Sequence, residues 1–388
     1  MVCVNTLNHC QFSTVSKHYT MSNKYILTIL AIAVCMTAIA QDELKLKLDS
    51  IAKTGLEKGI PGIQVIISKN EDYNIYNYGY HEIERKTEVN DSSNWRYGSI
   101  TKLFTAVMIL QLESEGKLSI DDSVSKYINL KQHNHAGITI KHLLNHTSGL
   151  YNYTSSSQLK WEDSTEQCLE YSLKRDLNFV PGSKYNYCNT GYIILGLIIE
   201  KITKQSYQQN ITERIFETCG LESMLYCSDE KIPSNTARGY KLNNKKYKDF
   251  TDINHSWANA AGAVLGNLTD LNKFVNCLFK GNLIDSQQLK KMISPTKIYR
   301  DLNADGMEWF YHAVGLCWDL NLDKTENPIY VSHGGNTHGY NCDIHYNTQS
   351  NLSIIIGMNL FPSGKYEPVF STQNNMINAI HEYYKQHK

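Results

Sequence analysis

A serine and a lysine three residues apart could carry out acyl-transfer chemistry. Ser99 and Lys102 precede a run, residues 103–112, that is apolar on nearly every face and lacks the alternation of a strand. Such a run predicts a buried helix, which Gly116 would end. If the helix begins near Ser99, residues i and i+3 share a face, so the hydroxyl and the ammonium group are neighbours at the helix N-terminus.

This arrangement suits nucleophilic catalysis. A serine hydroxyl is a poor nucleophile until a base takes its proton. We expect Lys102, kept from water near the positive end of a helix, to lose its own proton more easily. Free backbone N–H groups at the helix start can also stabilise a developing oxyanion. The pair therefore predicts a serine nucleophile with a lysine beside it.

The spacing alone is a weak signal, because a helix-capping serine followed by a solvated lysine has the same pattern. Ser99 differs from the other matches because Lys102 borders an apolar helix, where a lysine needs a specific reason to be. The seven serines with a lysine three residues later are Ser50, Ser99, Ser114, Ser123, Ser157, Ser228 and Ser294.

A second pair of polar residues, Tyr187 and Asn189, opens the strongly apolar segment 192–204. A tyrosine has an ordinary pKa of about 10. Beside a lysine cation it can shift toward the phenolate and serve as a base. The asparagine amide can donate a hydrogen bond to a neighbour of the lysine or to a substrate carbonyl. The structural alternative is a tyrosine packed under a turn and an asparagine that caps a helix.

The third pattern is His333-Gly334-Gly335-Asn336, which follows a predicted strand at 329–332. Two glycines beside a strand permit close approach of a ligand to the backbone. Each of the three patterns is weak singly, but they occur in this order, and each lies in the local context that its role requires.

Together the three patterns resemble those of the serine β-lactamase-related hydrolases. That family includes class C β-lactamases, D-alanyl-D-alanine carboxypeptidases of the same branch, esterases and D-aminopeptidases. The resemblance covers about residues 59–359 and includes Glu115-Gly116-Lys117-Leu118, the histidine-rich stretch 142–150 and His333-Gly334-Gly335. It implies an α+β fold like that of β-lactamases and DD-peptidases, in which an antiparallel sheet is flanked by helices and carries an inserted, mostly helical domain.

The resemblance also implies catalytic roles. Ser99 would be the acylated nucleophile, and Lys102 and Tyr187 would transfer its proton. Asn189 would help to hold Lys102 and would bind the substrate amide or ester. The resemblance implies neither a metal nor a cofactor.

The third pattern would supply substrate-binding groups. His333 would take the position that a lysine often holds, Gly335 would line the cleft, and the backbone N–H groups of Ser99 and Asn336 would form the oxyanion hole. The β-lactamase form is usually Lys-Thr-Gly or Lys-Ser-Gly, so His333 replaces a fixed cation and Gly334 a hydroxyl. Both of those groups typically meet a substrate carboxylate, and their loss weakens the case for β-lactam or D-Ala-D-Ala turnover.

The order of elements agrees with this fold. Strands at both chain ends with helices between them predict one sheet closed by both ends, with a sheet subdomain at about 42–128 and 300–388 and a helical subdomain at about 129–299. The predicted helices span 42–59, 99–116, 164–175, 192–204, 207–219, 268–279 and 371–385, and residues 138–150 are predicted as a capped helix that ends in a loop. The predicted strands span 63–68, 73–80, 312–318, 329–332, 341–346 and 353–358, with a surface hairpin at 238–248.

Two histidines four residues apart, His142 and His146, invite a metal-site hypothesis. The residues between them are Leu, Leu and Asn, so the zinc-protease pattern with an adjacent glutamate is absent. We predict packed or hydrogen-bonded histidines instead.

Residues 1–40 resemble an N-terminal extension followed by a signal peptide. Lys24 precedes an apolar run that ends in the cleavage pattern Ala38-Ile39-Ala40, and Met21 is an alternative start. The run is short for a membrane span, so we predict a cleaved signal, an exported protein in the periplasm or outside the cell, and no stable span after cleavage. The hydrolase domain would then be residues 42–388.

Seven cysteines remain after cleavage, and their odd number and scattered spacing do not indicate a disulfide framework. One bridge, such as Cys219 to Cys227, stays open. Lys plus Arg equals Asp plus Glu at 38 each, so the charge balance does not indicate a nucleic-acid partner.

The predicted function is an exported serine hydrolase that cleaves an ester or a small amide or peptide, D-amino-acid peptides included. One alternative is a non-catalytic protein that binds cell-wall peptides or lipids in the same cleft. Another is a true β-lactamase or D-Ala-D-Ala carboxypeptidase. An α/β-hydrolase would need a Gly-x-Ser-x-Gly elbow, which the sequence lacks.

Overall fold

A computed structural model describes residues 43–70, 72–130, 137–159, 163–227, 232–299, 311–361 and 368–387. The predicted signal segment at 1–40 lies outside these residues. The chain divides into two units, one of Met1–Asp49 with Ala379–Lys388 and the other of Ser50–Asn378. Among the residues described, no helix is both long enough and apolar enough to cross a bilayer.

The helices of the described residues lie mainly in the middle of the chain and at its ends. They are α1 (43–57), α2 (Thr101–Ser114), α3 (Ile140–Leu144), α4 (Thr165–Leu173), α5 (Asn189–Thr203), α6 (Tyr207–Ile211), α7 (Glu217–Cys219), α8 (Leu268–Phe279), α9 (Ser286–Ile293) and α10 (Pro368–Gln386). A π-helical turn, Thr212–Phe216, joins α6 to α7, so the predicted helix 207–219 is continuous but irregular.

The strands come from both ends of unit Ser50–Asn378 and from its middle. They are β1 (Gly62–Lys69), β2 (Asp72–Glu82), β3 (Thr87–Glu88), β4 (Asn94–Arg96), β5 (Leu225–Tyr226), β6 (Tyr240–Asn243), β7 (Lys246–Asp249), β8 (Val264–Asn267), β9 (Lys297–Tyr299), β10 (Tyr311–Val314), β11 (Asp319–Leu322), β12 (Pro328–Thr337), β13 (Tyr340–Asn347) and β14 (Leu352–Met358).

A nine-stranded antiparallel sheet has the order β3-β2-β1-β14-β13-β12-β11-β10-β9. The pairing of β1 with β14 joins strands from the two ends of the unit Ser50–Asn378, with Val65 opposite Ile356 and Ile67 opposite Ile354. Both strands are buried over nearly their whole length, as their runs of Ile and Val require. The predicted α+β fold with one sheet closed by both ends is confirmed, while the subdomain bounds stay predictions.

Helix α2 is the centre of the core. Every residue from Thr101 to Leu110 is buried, and the Phe104 ring stacks on Phe274 with 4.1 Å between centroids. A helix that is apolar all round is stable only where neighbours cover every face, and α2 is covered in this way. Gly116, at φ +69°, follows its end and supplies the left-handed conformation that terminates many helices.

Several predicted boundaries were wrong. The capped helix with a following loop expected at 138–150 is present as α3 and the residues after it, whereas the strand expected at 312–318 ends at Val314. The strand expected to end at Ser332 continues to Thr337, so His333 and the residues after it lie within β12. The open cysteine bridge is also corrected, because Cys219 pairs with Cys277 and Cys227 carries a thiol.

Candidate active site

Ser99 lies in a 3-10 turn, Gly98–Ile100, that leads directly into α2. The turn packs against β12 at two glycines. A Cβ atom on Gly98 would lie 2.8 Å from the carbonyl oxygen of Asn336, and one on Gly335 would lie 1.8 Å from that of Tyr97. Gly98 also has φ +54°, which glycine adopts without strain. The absence of two side chains therefore lets the nucleophile turn and the strand meet.

Lys102 is fully buried in the first turn of α2, and its ammonium nitrogen makes two hydrogen bonds. Nζ donates to Ser99 Oγ at 3.0 Å and to the carbonyl oxygen of Ala261 at 2.7 Å. Burial lowers the pKa of Lys102 from its ordinary value to about 7. A substantial fraction of the amine is thus neutral near pH 7, and it lies where it can take the proton of Ser99.

Asn189 was expected to help hold Lys102, but the group that accepts a hydrogen bond from Lys102 Nζ is the backbone carbonyl of Ala261. It belongs to a 3-10 segment, Ser256–Ala261, which contains an unusual backbone conformation at Asn259. The adjacent carbonyl of Ala260 accepts a hydrogen bond of 2.7 Å from Thr105 Oγ1 on α2. The segment is therefore fixed to the same helix that carries Lys102. The sequence analysis did not predict this contact with Lys102, because the acceptor is a backbone carbonyl and the alanine side chain gives no indication of it.

Tyr187 lies beside the pair, with its ring centroid 4.9 Å from Lys102 Nζ. The Tyr187 hydroxyl is shielded from solvent. Burial raises the pKa of Tyr187 well above its ordinary value, and the Ser99 side chain lowers it by a smaller amount. The expectation of a phenolate base at Tyr187 is not supported by these surroundings. A protonated tyrosine can instead donate a hydrogen bond or a proton.

Asn189 is the first residue of α5 and borders the cleft. Its side-chain amide donates to Thr154 Oγ1 at 3.0 Å, and its backbone N–H donates to Asn152 Oδ1 at 3.1 Å. These contacts orient Asn189 through the loop 152–154 rather than through Lys102. The side chain is partly exposed and so accessible to a substrate amide or ester.

His333 does not border the cleft. It is 4% exposed and lines a cavity of about 30 Å³ together with His146, Cys317 and Tyr187. Its Nδ1 lies 2.8 Å from the carbonyl oxygen of Gly334, and burial lowers the pKa of His333 to about 3. The prediction that His333 replaces a substrate-binding cation is therefore wrong, because the ring is buried and neutral.

The other two residues of that pattern have different surroundings. Gly335 was predicted to line the cleft. It packs on the Tyr97 carbonyl instead and is not among the residues that line the cleft. Asn336 does line the cleft, and its backbone nitrogen would lie 3.0 Å from a Cβ on Gly98. The main chains of Ser99 and Asn336 thus lie at the same end of the cleft, as an oxyanion hole between them requires.

The cleft has a volume of about 540 Å³ and contains Ser99, Tyr187, Asn189 and Asn336. Aromatic and apolar side chains form much of the rest of its wall, notably Tyr153, Leu159, Trp257 and Phe361. Tyr153 and Leu159 lie in the part of the chain between α3 and α4. None of these wall residues was predicted individually, since nothing in their spacing distinguishes them from core residues.

The two histidines near α3 are packed and hydrogen-bonded, as predicted. His142 Nδ1 accepts from the backbone N–H of Thr139 at 3.2 Å and so completes a helix cap. His146 Nδ1 accepts from the backbone N–H of Cys188 at 3.1 Å. No group of three or more metal-ligating side chains occurs within the described ranges.

Comparison with known proteins shows the family to which the chain belongs. The family model described as Beta-lactamase matches residues 48–371. Protein flp of Staphylococcus aureus is 27% identical over 346 residues, which are 87% of this chain and 67% of that protein.

Two solved structures share the fold. The D-amino acid amidase of Ochrobactrum anthropi SV3 has a TM-score of 0.75 at 22% identity, covering 88% of this chain and 99% of that one. The D-stereospecific amidohydrolase of a Streptomyces species has a TM-score of 0.73 at 24% identity, covering 86% and 97%. Because the family model matches most of this chain, the chain belongs to the Beta-lactamase family of serine hydrolases.

Proposed function

We propose that the protein hydrolyses an ester or a small amide or peptide, including D-amino-acid-containing ones, through an acyl-enzyme on Ser99. The observation that carries the proposal is the 3.0 Å contact between Lys102 Nζ and Ser99 Oγ at the cleft, with a lysine pKa of about 7. In the proposed reaction Lys102 takes the Ser99 proton as Oγ attacks the carbonyl carbon. The tetrahedral oxyanion accepts hydrogen bonds from the backbone N–H groups of Ser99 and Asn336.

Loss of the leaving group completes the acylation. The hydroxyl of Tyr187 donates its proton to the departing nitrogen or oxygen, and Lys102 passes the proton that it took from Ser99 to the tyrosine oxygen. Water then attacks the acyl-enzyme with the same groups in reversed roles, and Ser99 is regenerated. Asn189 would hold the substrate carbonyl or amide beside the serine.

The cleft favours an apolar acyl group or side chain. Trp257, Tyr153 and Phe361 offer aromatic surface, while the only β12 side chain expected as a substrate-binding cation, His333, is buried. The similar solved structures are an amidase for D-amino acids and a D-stereospecific amidohydrolase, which supports testing D-amino-acid amides. A β-lactamase or D-Ala-D-Ala carboxypeptidase is less well supported, because β12 presents no cation for the substrate carboxylate.

Export is part of the proposal. A disulfide between Cys219 and Cys277 is consistent with an oxidising compartment, where such bonds persist. It agrees with the signal peptide predicted at 1–40. N-terminal sequencing of the mature protein from its native cell tests this, since a start at Met1 or Met21 would contradict cleavage after Ala40.

The decisive experiment is intact-protein mass after exposure to a fluorophosphonate probe, with Ser99→Ala as the matched variant. A single adduct on the wild-type protein and none on Ser99→Ala is the expected result. Substrate screening with short esters and with D- and L-amino-acid amides follows. Absence of an adduct on folded wild-type protein would overturn the acyl-enzyme and favour the non-catalytic binding alternative.

A further inference from the structure

One residue outside the predicted catalytic set contacts three consecutive residues of the segment that carries Tyr187. The backbone N–H of Asn186 donates to the carbonyl oxygen of His146 at 2.9 Å. The backbone N–H of Cys188 donates to Nδ1 of the same histidine at 3.1 Å. Between these two bonds, the His146 ring lies against the Tyr187 ring with 4.4 Å between centroids and 34° between planes.

We propose that His146 is a positioning residue that fixes the Tyr187 hydroxyl beside Ser99. This inference rests on the proposed function, because it assigns His146 a role only in the reaction that Tyr187 serves. Two backbone hydrogen bonds set the path of the chain on either side of Tyr187, and the ring contact sets the plane of its side chain. A tyrosine held at three points reaches the serine in one orientation, which is what proton transfer requires.

The chemistry of the imidazole fits this role. Nδ1 accepts a hydrogen bond from Cys188, so the ring proton is on Nε2. The ring is 4% exposed, and burial lowers the pKa of His146 well below its ordinary value, with Lys102 and His333 adding to the effect. These effects favour the neutral ring, in which Nδ1 accepts the hydrogen bond from the backbone N–H of Cys188.

The backbone explains why this residue type is suited to the position. His146 has φ +58°, a left-handed conformation in which asparagine, aspartate and histidine are enriched. This turn directs both its carbonyl and its side chain at the segment around Tyr187. Asparagine is consequently the conservative replacement, since it tolerates the conformation and places an amide oxygen near the position of Nδ1. Glycine tolerates the conformation but removes both side-chain contacts.

The test compares His146→Gly, His146→Asn and His142→Ala with the wild-type protein. We expect His146→Gly to lower kcat by about 10- to 100-fold with KM little changed, the size of effect that a misplaced group can have. His146→Asn should recover most of that loss. His142→Ala removes the histidine that takes part in the N-terminal cap of α3, the short helix that precedes His146, and should lower the melting temperature while leaving kcat unchanged.

A double-mutant cycle with Tyr187→Phe separates positioning from general stability. If His146 acts through the Tyr187 hydroxyl, substitution of His146 should change kcat little once that hydroxyl is gone. Equal fold-losses on substitution of His146 in the wild-type protein and in the Tyr187→Phe variant would overturn the proposal. His146→Asn serves in the cycle if His146→Gly does not fold.

The rate of fluorophosphonate labelling distinguishes failure of this inference from failure of the proposed function. No labelling of the wild-type protein contradicts the acyl-enzyme itself. If the wild-type protein is labelled, and the His146→Gly variant is labelled and turns over substrate equally fast, only the positioning role of His146 is contradicted.

Discussion

A Cβ atom on Gly335 would lie 1.8 Å from the carbonyl oxygen of Tyr97, the residue that precedes the nucleophile turn. Real side chains do not approach backbone oxygens so closely, so the strand and the turn can pack only because position 335 has no side chain. The neighbouring Gly334 differs, since a Cβ there would meet no atom within 4 Å. The two glycines of the pattern therefore have different reasons to be present.

This difference predicts unequal effects of two alanine substitutions. Gly335→Ala should push β12 from the Ser99 turn, lowering the free energy of unfolding by about 1–3 kcal/mol and kcat/KM by about 100-fold. Gly334→Ala, one residue away on the same strand, should leave both nearly unchanged. Urea denaturation and ester hydrolysis measure the two quantities, and equal effects of the two substitutions would contradict the packing argument.

Lys102 predicts the pH dependence of activity. As the proton acceptor it must be neutral, and its pKa is lowered to about 7, so kcat/KM should rise about tenfold per pH unit below that value and level off above it. Lys102→Met should lose most activity at every pH. A profile for wild-type protein that is flat across pH 7, measured with an ester that is stable over the range, would contradict Lys102 as the base.

The same lysine predicts a pH dependence of stability. Its pKa in the folded protein, about 7, lies below the ordinary 10.5, so between these values the unfolded chain binds more protons. Stability of the wild-type protein relative to Lys102→Met should therefore rise with pH across this window, by at most about 1.4 kcal/mol per pH unit. Denaturant midpoints at several pH values measure this stability difference, with substitution of the exposed Lys201 by Met as the control. A difference between wild type and Lys102→Met that stays constant with pH would contradict the lowered pKa of Lys102.

The sequence predicted those parts of the site that depend on local spacing. Ser99 and Lys102 are three residues apart at the start of a helix, so their contact follows from helical geometry alone. The third pattern shows the limit. His333 and Gly335 were expected to follow a strand that ends at Ser332, but both lie within β12, on the same buried face. The face is set by packing against the Ser99 turn, and it buries the histidine.

Two other features depend on contacts that no local pattern encodes. The Ala261 carbonyl reaches Lys102 across 159 positions of sequence, through a backbone that turns at Asn259. Cys219 and Cys277 are 58 residues apart and meet only because α7 and α8 pack together. From the sequence, the nearby Cys227 was the simpler partner for Cys219, but the tertiary structure brings Cys277 to Cys219 instead.

Tyr187 predicts a difference between leaving groups. Burial keeps its hydroxyl protonated, so its contribution is greatest where the leaving group needs a proton. Tyr187→Phe should lower kcat/KM for an amide by about 100-fold or more, and much less for a p-nitrophenyl ester, whose leaving group departs as the anion. Equal losses for the two substrates would indicate that the tyrosine acts as the base in acylation instead.

The disulfide predicts a stability effect that is separate from catalysis. Cys219 and Cys277 close a loop with a sequence separation of 58, and such a cross-link typically contributes about 2–4 kcal/mol, mainly by restricting the unfolded chain. The double variant Cys219→Ala/Cys277→Ala should lose about that much while keeping kcat near the wild-type value, because neither cysteine borders the cleft. Peptide mapping without reductant checks the connectivity, with Cys227→Ala as the control that retains the cross-linked peptide. Recovery of a Cys219–Cys227 peptide, or an unchanged denaturation midpoint in the double variant, would contradict the Cys219–Cys277 bond.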